Sequence, residues 1–467
     1  MLTAIRFICF LLVFPTVAQA GDLLRIYEMA QRNDATFNTA QHARDAALES
    51  EPAARALLLP QLSGSYKETF DHANTSIGYT DPTTGTPVTL SQTNGGTDKN
   101  LSVILSQPLF NLESWYRLQQ AGQQTALAQL NYRAAEQSLL LRVSEDYFGL
   151  LAAYDGVRSM TAEKEAFAHQ LELAKQNLNV GLSSVTDVQD VQARYDLSVA
   201  NELDAEQTLA AAREALEEIT KEPMRSVEDD RVRVVPLDPV GAVTPTRLAG
   251  LREDATLPVL QNSTASGWVT QADLGNFDVL ATLLNVRVAE RAVDVAQSRY
   301  LPTVSGTVSY TDLNTKAGGF PTQSNGMAFG IGITVPLYSG GATRSAVREA
   351  VAVRDQRLSE YDGAQRLAER NASTAYQSVM IGAARIRAYK QAVVSSRSAL
   401  EASQTGLEIG TRSAIDVLNA QQQRFRAERD YDRSRYDYLL AILRLKVTGG
   451  RLMQRDLEEI DGLLTVH

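Results

Sequence analysis

The sequence contains almost no cysteine and little histidine. Its one cysteine, Cys9, lies near the N-terminus, so the rest of the chain can form no intramolecular disulfide. Neither a GxSxG motif nor a phosphate-binding glycine loop occurs. These absences predict a protein that is not an enzyme and has no cofactor or metal site. The four histidines are scattered without a paired metal-ligand spacing, at His42, His72, His169 and His467.

Long hydrophobic runs are absent except at the N-terminus. There, Arg6, the apolar run from Phe7 to Phe14 and the small residues before Gly21 match the three regions of a secretory signal peptide. A membrane anchor is the alternative, but the run is shorter than the roughly 20 apolar residues that a spanning helix needs. We therefore expect residues 1–20 to be cleaved and the exported chain to begin at Gly21.

Basic residues are outnumbered by acidic ones. The chain has 45 Lys and Arg against 55 Asp and Glu, a formal net charge of −10. Loss of Arg6 with the signal peptide makes the mature chain more negative still. An acidic surface argues against nucleic acid and anionic lipid as partners.

Proline is missing from two long tracts of the chain. None of the 14 prolines falls between Pro108 and Pro223, and none follows Pro336. An interior proline costs a helix about 3 kcal/mol, and both tracts are rich in good helix formers. They therefore predict very long helices. Apolar residues at coiled-coil spacing occur within them, for example Phe167, Leu171, Ala174 and Leu178.

The second half of the chain repeats the first. The motif Val180-Gly-Leu-Ser-Ser-Val-Thr-Asp-Val188 returns as Ile409-Gly-Thr-Arg-Ser-Ala-Ile-Asp-Val417. Each copy follows a Pro-Leu-aromatic junction, at Pro108 and at Pro336, by the same interval to within one residue. This internal duplication predicts two structural repeats. We assign them to 21–222 and 277–448, with an irregular connector at 223–276 and a tail at 449–467.

The repeated motif has the features of a helix reversal. Glycine just after a helix adopts the left-handed conformation that closes it, which suits Gly181 and Gly410. A serine followed three residues later by an acid forms a capping box that opens the next helix. We therefore predict an antiparallel helical hairpin in each repeat, with tips near 181 and 410. Short helical segments are expected before each pair of strands, at about 23–57 and 277–299.

Four segments alternate between apolar and small or polar residues. They lie at about 62–71, 100–107, 304–312 and 327–335, and Glu68 and Ile104 interrupt the pattern. Alternation over about ten residues with one small or polar face is typical of transmembrane β-strands. Ordinary half-buried hairpins are the alternative, and the duplication of the pair in an exported chain favours the membrane.

Four strands cannot close a barrel by themselves. An open edge in lipid leaves backbone groups unpaired at several kcal/mol each, so the barrel must be shared between copies of the chain. Two, three or four copies would give 8, 12 or 16 strands, and the pattern does not choose among them. Four aromatic residues lie just past the strand ends: Phe110, Trp115, Tyr116 and Tyr338. They could form an aromatic belt at the membrane interface, or they could pack where the strands join the helices.

Taken together, these features resemble the TolC family of outer-membrane channel-tunnels. The likeness covers nearly all of the mature chain and includes Leu59-Pro60 and Leu301-Pro302 entering the strands, the Pro-Leu-aromatic junctions and the duplicated tip motif. It implies a mainly α fold with a β-barrel portion. In this family the long antiparallel coiled-coil helices of three protomers form an α-barrel in the periplasm. Four transmembrane strands per protomer make a shared 12-stranded trimeric β-barrel in the outer membrane, open to the outside.

The resemblance also implies a function and partners. The homotrimer would be a passive exit duct for drugs, toxic small molecules or secreted polypeptides. It would be joined through a periplasmic adaptor, also called a membrane fusion protein, to an inner-membrane pump such as an ABC or RND transporter. The alternative is a periplasmic coiled-coil adaptor or structural protein without a membrane barrel. That alternative explains the hairpins but leaves the four strands without a use.

The resemblance assigns roles to residues of the second tip. Asp416 matches the first of the carboxylates that ring the periplasmic constriction, and Asn419 stands where well-known members have a second acid. Asp416 is also placed to cap its helix, and the two roles are compatible. Asp187 and Arg412 match a charge pair that closes neighbouring tips, although Leu407 replaces a tyrosine often found in that closure. The turns themselves match the adaptor-docking positions: Gly181, Ser184, Gly410 and Ser413.

Overall fold

The computed structural model describes residues 22–181, 183–222, 250–252, 255–258, 264–317 and 320–464. The expected signal peptide and residues 223–249 of the predicted connector lie outside this range. In chain order the elements are α1 Asp22–Asn33, α2 Ala35–Leu48, α3 Ser50–Ala56, β1 Gln61–Thr80, β2 Pro87–Phe110, α4 Leu112–Asn179, α5 Val185–Thr220, α6 Ala265–Gly275, α7 Phe277–Ser298, β3 Thr303–Ala317, β4 Phe320–Thr334, α8 Ala342–Glu408, α9 Ala414–Thr448 and α10 Gln454–Asp461.

The chain forms two compact units that cut across the sequence repeats. The first unit takes its described residues from 1–40, 133–276 and 367–467, and the second from 41–132 and 277–366. Each unit therefore combines segments of both predicted repeats. The helical hairpin tips belong to the first unit, and all four strands belong to the second.

The first unit contains most of four long helices. The helices α4 and α8 have 68 and 67 residues, and their return partners α5 and α9 have 36 and 35. The long helices that the proline-free tracts predict are thus confirmed. Near the tips, Leu418 of α9 is fully buried in an apolar cluster with residues of α4 and α5. That side chain packs the second hairpin against the first near the tips. The other buried members are Phe167, Leu171, Ala174, Val188 and Val191.

A second cluster of this unit corrects the predicted connector. The segment 223–276 was expected to be irregular, yet Ala265–Gly275 forms helix α6. Thr264 caps it by accepting a hydrogen bond from the Gly267 amide at 3.2 Å. Trp268 of α6 then packs with Tyr438 and other buried residues of α8 and α9. Burial of the indole, which the local composition does not reveal, stabilises the helix. The tail at 449–467 also contains a helix, α10.

The segment predicted as helical at 23–57 consists of three helices instead of one. The break after α1 occurs at Asp34, whose carboxylate accepts a hydrogen bond from the Phe37 amide at 2.6 Å. Asp34 is buried and forms an ion pair with Arg142 of α4 at 2.7 Å. It therefore both starts α2 and ties this helix to α4. The segment predicted at 277–299 is the single helix α7, which ends at Ser298.

The second unit contains one antiparallel sheet with the strand order β1-β2-β3-β4. The four strands are longer than predicted, with 20, 24, 15 and 15 residues. The prediction stopped where the outward apolar alternation stopped, near Phe70. Backbone pairing does not require that alternation, so the first hairpin continues through a segment rich in Ser, Thr and Asn. At the other end, β4 stops at Thr334, one residue short of the prediction.

Candidate functional site

The first hairpin tip forms the predicted reversal and capping box. Gly181 has a φ of 77°, the left-handed conformation that an L side chain rarely adopts. Ser184 follows in an extended conformation and accepts a hydrogen bond from the Asp187 amide at 3.1 Å. The Asp187 carboxylate accepts from the Ser184 amide at 2.9 Å and from the Ser183 hydroxyl at 3.2 Å. The bonds from the Ser184 and Asp187 amides satisfy backbone groups at the helix start that lack an intrahelical partner.

The second tip repeats this geometry. Gly410 has a φ of 75°. Ser413 accepts from the Asp416 amide at 3.2 Å, and the Asp416 carboxylate accepts from the Ser413 amide at 3.0 Å. The Thr411 and Arg412 amides both donate to the carbonyl oxygen at the end of α8, on Gly406. The duplicated sequence thus specifies the same turn twice, because both its glycine and its serine-acid pair act locally.

Both tip carboxylates are held in the charged form. Hydrogen bonds from the backbone of Ser184, and then from its side chain, lower the pKa of Asp187 below its ordinary value. For Asp416 the same two contributions come from Ser413, and the charge of Arg412 lowers its pKa further. Hydrogen bonds to a carboxylate favour ionisation. Each tip therefore carries a fixed negative charge at neutral pH.

The expected gate pair is not closed within one chain. Asp187 makes its short contacts with its own capping serine and with Ser183. Arg412 forms no ion pair within 4 Å among the residues described, and its side chain packs close to Gly406. Its charge acts on Asp416 rather than on Asp187. A pairing of Asp187 with Arg412 requires a second copy of the chain.

Apolar side chains flank the two turns and face solvent. Val180 and Ile409, which occupy equivalent positions of the motif, are each 70% exposed. Val185 at the start of α5 is also exposed. Asn419 lies exposed on α9, three residues after Asp416, on the next helical turn. The tips therefore combine a fixed carboxylate, an exposed amide and exposed apolar surface.

The sheet of the second unit has one strongly apolar face. Its exposed members include Leu62, Phe329 and Ile331, which are 72%, 82% and 72% exposed. Register places Leu62 beside Leu105, Leu105 beside Val308, and Val308 beside Phe329 in one row across the strands. Such a row of exposed apolar side chains is expected on the lipid-facing side of a membrane strand. We call this side the outward face.

The opposite face is small and polar. Along β3 and β4 it carries Ser305, Thr307, Gly330 and Gly332. A Cβ added at Gly330 would meet only the Thr307 hydroxyl at 3.8 Å, so this side is open. We call it the inward face.

The outward face becomes polar at Glu68, which interrupts the predicted alternation of apolar residues. Lys99 of β2 pairs with Glu68 at 3.2 Å, and the Tyr66 hydroxyl donates to the same carboxylate at 3.2 Å. Asn314 and Gln323 continue this row across β3 and β4. The row therefore lies near one border of the apolar band, and Phe70 of β1 follows it on the same face. The opposite border carries the aromatic residues of the strand-to-helix junctions, of which Phe110, Trp115 and Tyr338 are exposed.

Sequence reasoning missed the apolar residues in the far part of the first hairpin. Ile77 and Tyr79 of β1 are 61% and 48% exposed and lie beyond the predicted strand end. Their own alternation, two residues apart, was a signal that the segment is a strand.

Neither a membrane helix nor a metal cluster is found in the part of the chain that the structure describes. No helix there is both long and apolar enough to cross a membrane. No group of three or more His, Cys, Asp or Glu residues there is placed to hold a metal ion.

Sequence comparison matches most of the chain. The model of a family described as "Outer membrane efflux protein" matches residues 26–220 and 268–451. The outer membrane protein TolC of Vibrio cholerae is 31% identical over 452 residues, which cover 96% of this chain and 94% of that protein. The proteases secretion protein PrtF of Dickeya chrysanthemi is 28% identical and covers 95% and 91%. The alkaline protease secretion protein AprF of Pseudomonas aeruginosa is 29% identical and covers 96% and 88%.

Solved structures share the fold. The outer membrane protein VceC of Vibrio cholerae superposes with a TM-score of 0.71 at 18% identity, covering 92% of this chain and 96% of that one. A membrane protein from Pseudomonas aeruginosa gives a TM-score of 0.73 at 20% identity, covering 92% and 93%. Helical hairpins joined to a small sheet, as described above, are therefore a known architecture.

Proposed function

Because the chain belongs to the outer membrane efflux protein family, we propose that three copies of it assemble into one duct. The chain is an outer-membrane channel protein of an efflux or secretion system. The alternative of a periplasmic adaptor without a barrel has no support among its relatives. The duct passes its cargo without chemistry of its own.

One observation supports a barrel shared between copies. The sheet has two unpaired edges, and one of its faces is apolar enough to contact lipid. Within the described chain, β1 and β4 each pair on one side only. The same sheet exposes Leu62, Phe329 and Ile331 on its outward face. An edge in hydrocarbon leaves its N–H and C=O groups unsatisfied, so β1 of one copy must meet β4 of the next. The resemblance of the tips and junctions to TolC selects three copies, hence 12 strands.

The helical hairpins reach a periplasmic adaptor at their tips. We assign the docking surface to the turns at Gly181, Ser184, Gly410 and Ser413. Exposed Val180 and Ile409 beside these turns support a protein partner, because burial of apolar side chains at the end of a coiled coil against another protein is favourable. The adaptor in turn connects the duct to an inner-membrane pump of the ABC, RND or a similar class, which selects the cargo.

The second tip forms the periplasmic constriction. Asp416, repeated three times, supplies one ring of carboxylates, and Asn419 supplies a neutral ring one helical turn away. Asp187 of one tip and Arg412 of its neighbour hold the tips together. The lowered pKa of Asp416 supports a ring that stays charged at neutral pH. Arg412 forms no ion pair within 4 Å among the described residues, which supports its pairing with a neighbouring tip.

Native mass spectrometry in detergent tests the assembly. The full-length protein, purified from outer membranes after export, is expected at three times the mass of a chain that begins at Gly21. A purified monomer with a resistant, folded β-sheet would contradict the shared barrel. The retained N-terminal segment, seen as a heavier chain, would contradict the signal peptide separately.

A further inference from the structure

The first hairpin of the sheet extends beyond the second. The ladder between β2 and β3 ends at the pair Gly96 and Ala317. Beyond it, β1 and β2 continue as a two-stranded ladder as far as the pair Thr80 and Pro87. We call residues 72–80 of β1 the β1 extension. Its other edge pairs with no strand of the described chain.

The apolar band of the outward face crosses the strands obliquely. On β1 its exposed apolar side chains lie within 62–70, interrupted at Glu68, and on β4 they lie within 327–333. The midpoints of these two ranges are Tyr66 and Gly330. Both midpoints lie at the same depth in the membrane if the band is level with it.

The row of register partners through Tyr66 does not reach Gly330. Register carries this row from Tyr66 through Leu101 and Asp312 to Asn325. Asn325 lies about five residues from Gly330, on the side away from the helices. About five residues of 3.3 Å over three strand spacings of about 4.8 Å correspond to a strand tilt of about 50°.

The same displacement determines how the next copy joins the sheet. One further strand spacing, from β4 to β1 of the next copy, brings the displacement to about seven residues per copy. The number must be even, because an odd shift would turn the apolar side chains away from the lipid. A stagger of six residues corresponds to a tilt of about 45°, and one of eight to about 55°. Membrane barrels have tilts of about 35–45°, which favours six.

A stagger of six residues defines the seam between two copies. Without a stagger, the row that ends at Phe329 would return to Leu62. Six residues move it to Glu68 of the next copy. Because the two strands are antiparallel, Asn325 then lies opposite His72 of the next copy.

Side chains of similar polarity meet at the border of the apolar band in this register. Asn325 meets His72 of the next copy, and Met327 meets Phe70 of the next copy. A stagger of four would place Met327 opposite Glu68 and Asn325 opposite Phe70. Each of those pairs sets a polar residue against an apolar one, so the border residues also favour six.

The carboxylate of Glu68 lies beside Phe329 of the neighbouring copy in this register. Lys99 pairs with that carboxylate at 3.2 Å within its own copy, and the Tyr66 hydroxyl donates to it at 3.2 Å. The charge is therefore compensated before the copies meet, and the contact leaves no unpaired charge against the phenyl ring.

We propose that β4 of each copy pairs with β1 of the next with a stagger of six residues, so that residues 72–77 of the β1 extension are part of the barrel wall. In this register the 15 residues of β4 pair with residues 63–77 of the next copy. The first hairpin is longer than the second because the neighbour's strand reaches further out along it. The inference rests on the proposed trimer and adds the register of its seam.

Paired cysteines measure the stagger. Asn325→Cys combined with His72→Cys is expected to give disulfide-linked trimers on non-reducing gels of outer membranes. Directly opposite Cα atoms lie about 4.5–5.5 Å apart, within the range of a disulfide. The matched controls combine Asn325→Cys with Phe70→Cys or with Asn74→Cys. Their Cα atoms are diagonal neighbours at about 7–8 Å, beyond that range, so these variants should stay monomeric.

The design excludes other disulfides. Cys9 lies in the expected signal peptide, so the exported chain has no cysteine besides the two introduced ones. Within one chain, β2 and β3 separate β1 from β4 by about 14 Å, which no disulfide can bridge. Each disulfide therefore joins two copies.

The outcomes separate this inference from the proposed function. If native mass spectrometry shows a trimer and the pair with His72→Cys forms no disulfide, the register is wrong while the duct stands. Stronger linkage with Phe70→Cys or Asn74→Cys would also overturn it, because the stagger would be four or eight. Absence of a trimer would remove both.

Shortened hairpins supply a second measurement that needs no cysteine. Replacing residues 78–89 with an Asn-Gly turn removes only the part beyond the neighbour's β4, so the temperature at which the trimer dissociates in detergent should not change. Replacing residues 72–95 in the same way should lower that temperature, because residues 320–325 of the neighbour's β4 lose their partners. Equal dissociation temperatures for the two variants would contradict the proposed seam.

Discussion

Asp416 receives both of its Ser413 hydrogen bonds on one carboxylate oxygen. The Ser413 amide and hydroxyl donate to Oδ2 at 3.0 and 2.9 Å, and no hydrogen bond to Oδ1 is found among the described residues. The carboxylate therefore caps α9 with one oxygen and keeps the other for solvent or a passing ion. Capping and a selectivity ring do not compete for the same atom.

The first prediction separates these two roles of Asp416. Asp416→Asn should weaken the block of the channel by multivalent cations added from the periplasmic side of a planar bilayer, because the ring loses its charge. Asn419→Asp should strengthen the block by adding a second ring. Ser413→Ala is the control: it removes the serine of the capping box but keeps the carboxylate, so block should persist. If Ser413→Ala and Asp416→Asn behave alike, Asp416 acts only as a cap.

The tips and long helices could be predicted from sequence because their determinants are local. A glycine at a positive φ, a serine three residues before an acid, and the absence of proline all act within one or two helical turns. Gly410 and the Ser413 and Asp416 pair therefore specify the turn without help from distant residues.

Other features depend on residues far apart in the chain. Helix α6 forms in the predicted connector because Trp268 is buried against α9, which local composition cannot reveal. The strand ends extend past the predicted ones because the apolar side chains of β1 change faces after Phe70, so the outward alternation that predicts a strand stops there while the backbone pairing continues. The proposed pairing of Asp187 with Arg412 joins two copies of the chain, and the local pattern of one chain carries no signal for such a contact.

The second prediction concerns that pairing. Arg412→Glu should raise the single-channel conductance of the resting channel, because the tips lose an attraction and gain a repulsion from the neighbouring Asp187. Adding Asp187→Arg should restore a low conductance by exchanging the charges. The coupling is expected to be below about 1 kcal/mol, as for other exposed pairs. If the double variant conducts as freely as Arg412→Glu, the two residues do not face each other.

The third prediction tests the two faces of the sheet. Phe329→Arg should reduce the amount of trimer in the outer membrane, since arginine on the lipid side near the midplane costs roughly 2 to 4 kcal/mol. Gly330→Arg, one residue away on the inward face, should assemble normally and lower the conductance. Quantitative blots of outer-membrane fractions measure the first effect. Normal yield for Phe329→Arg would mean that the outward face is misassigned.

The fourth prediction concerns the turn glycine of the second hairpin. Gly410→Ala forces an L side chain into a left-handed backbone conformation, so the free energy of unfolding should fall by about 1 kcal/mol. Gly363→Ala is the matched control. Gly363 lies inside α8, and no atom lies within 4 Å of a Cβ added there. The free energy of unfolding should therefore rise by up to about 1 kcal/mol. The melting temperatures of the two purified variants should therefore move in opposite directions, and parallel shifts would contradict the assigned turn.

The last prediction concerns a half-buried carboxylate on α9. Burial, with repulsion from Asp155, raises the pKa of Asp432 from 3.8 to about 6, although the nearby Arg435 and Arg158 lower it. Asp155 accepts a hydrogen bond from the Tyr436 hydroxyl at 2.8 Å. The folded protein therefore binds a proton at Asp432 more tightly than the unfolded chain does.

The sign of the pH dependence follows from that difference. A carboxyl whose pKa is raised on folding stabilises the folded state in its protonated form below about pH 4, and this contribution is lost as the pH rises through about 6. Asp432→Asn should therefore raise the melting temperature at pH 8, and the gain should shrink through pH 6 and vanish near pH 4. Asp437→Asn, which changes an exposed acid on the same helix, is the control and should give no such trend. A gain for Asp432→Asn that is equal at pH 4 and pH 8 would show that the effect comes from packing and not from the charge.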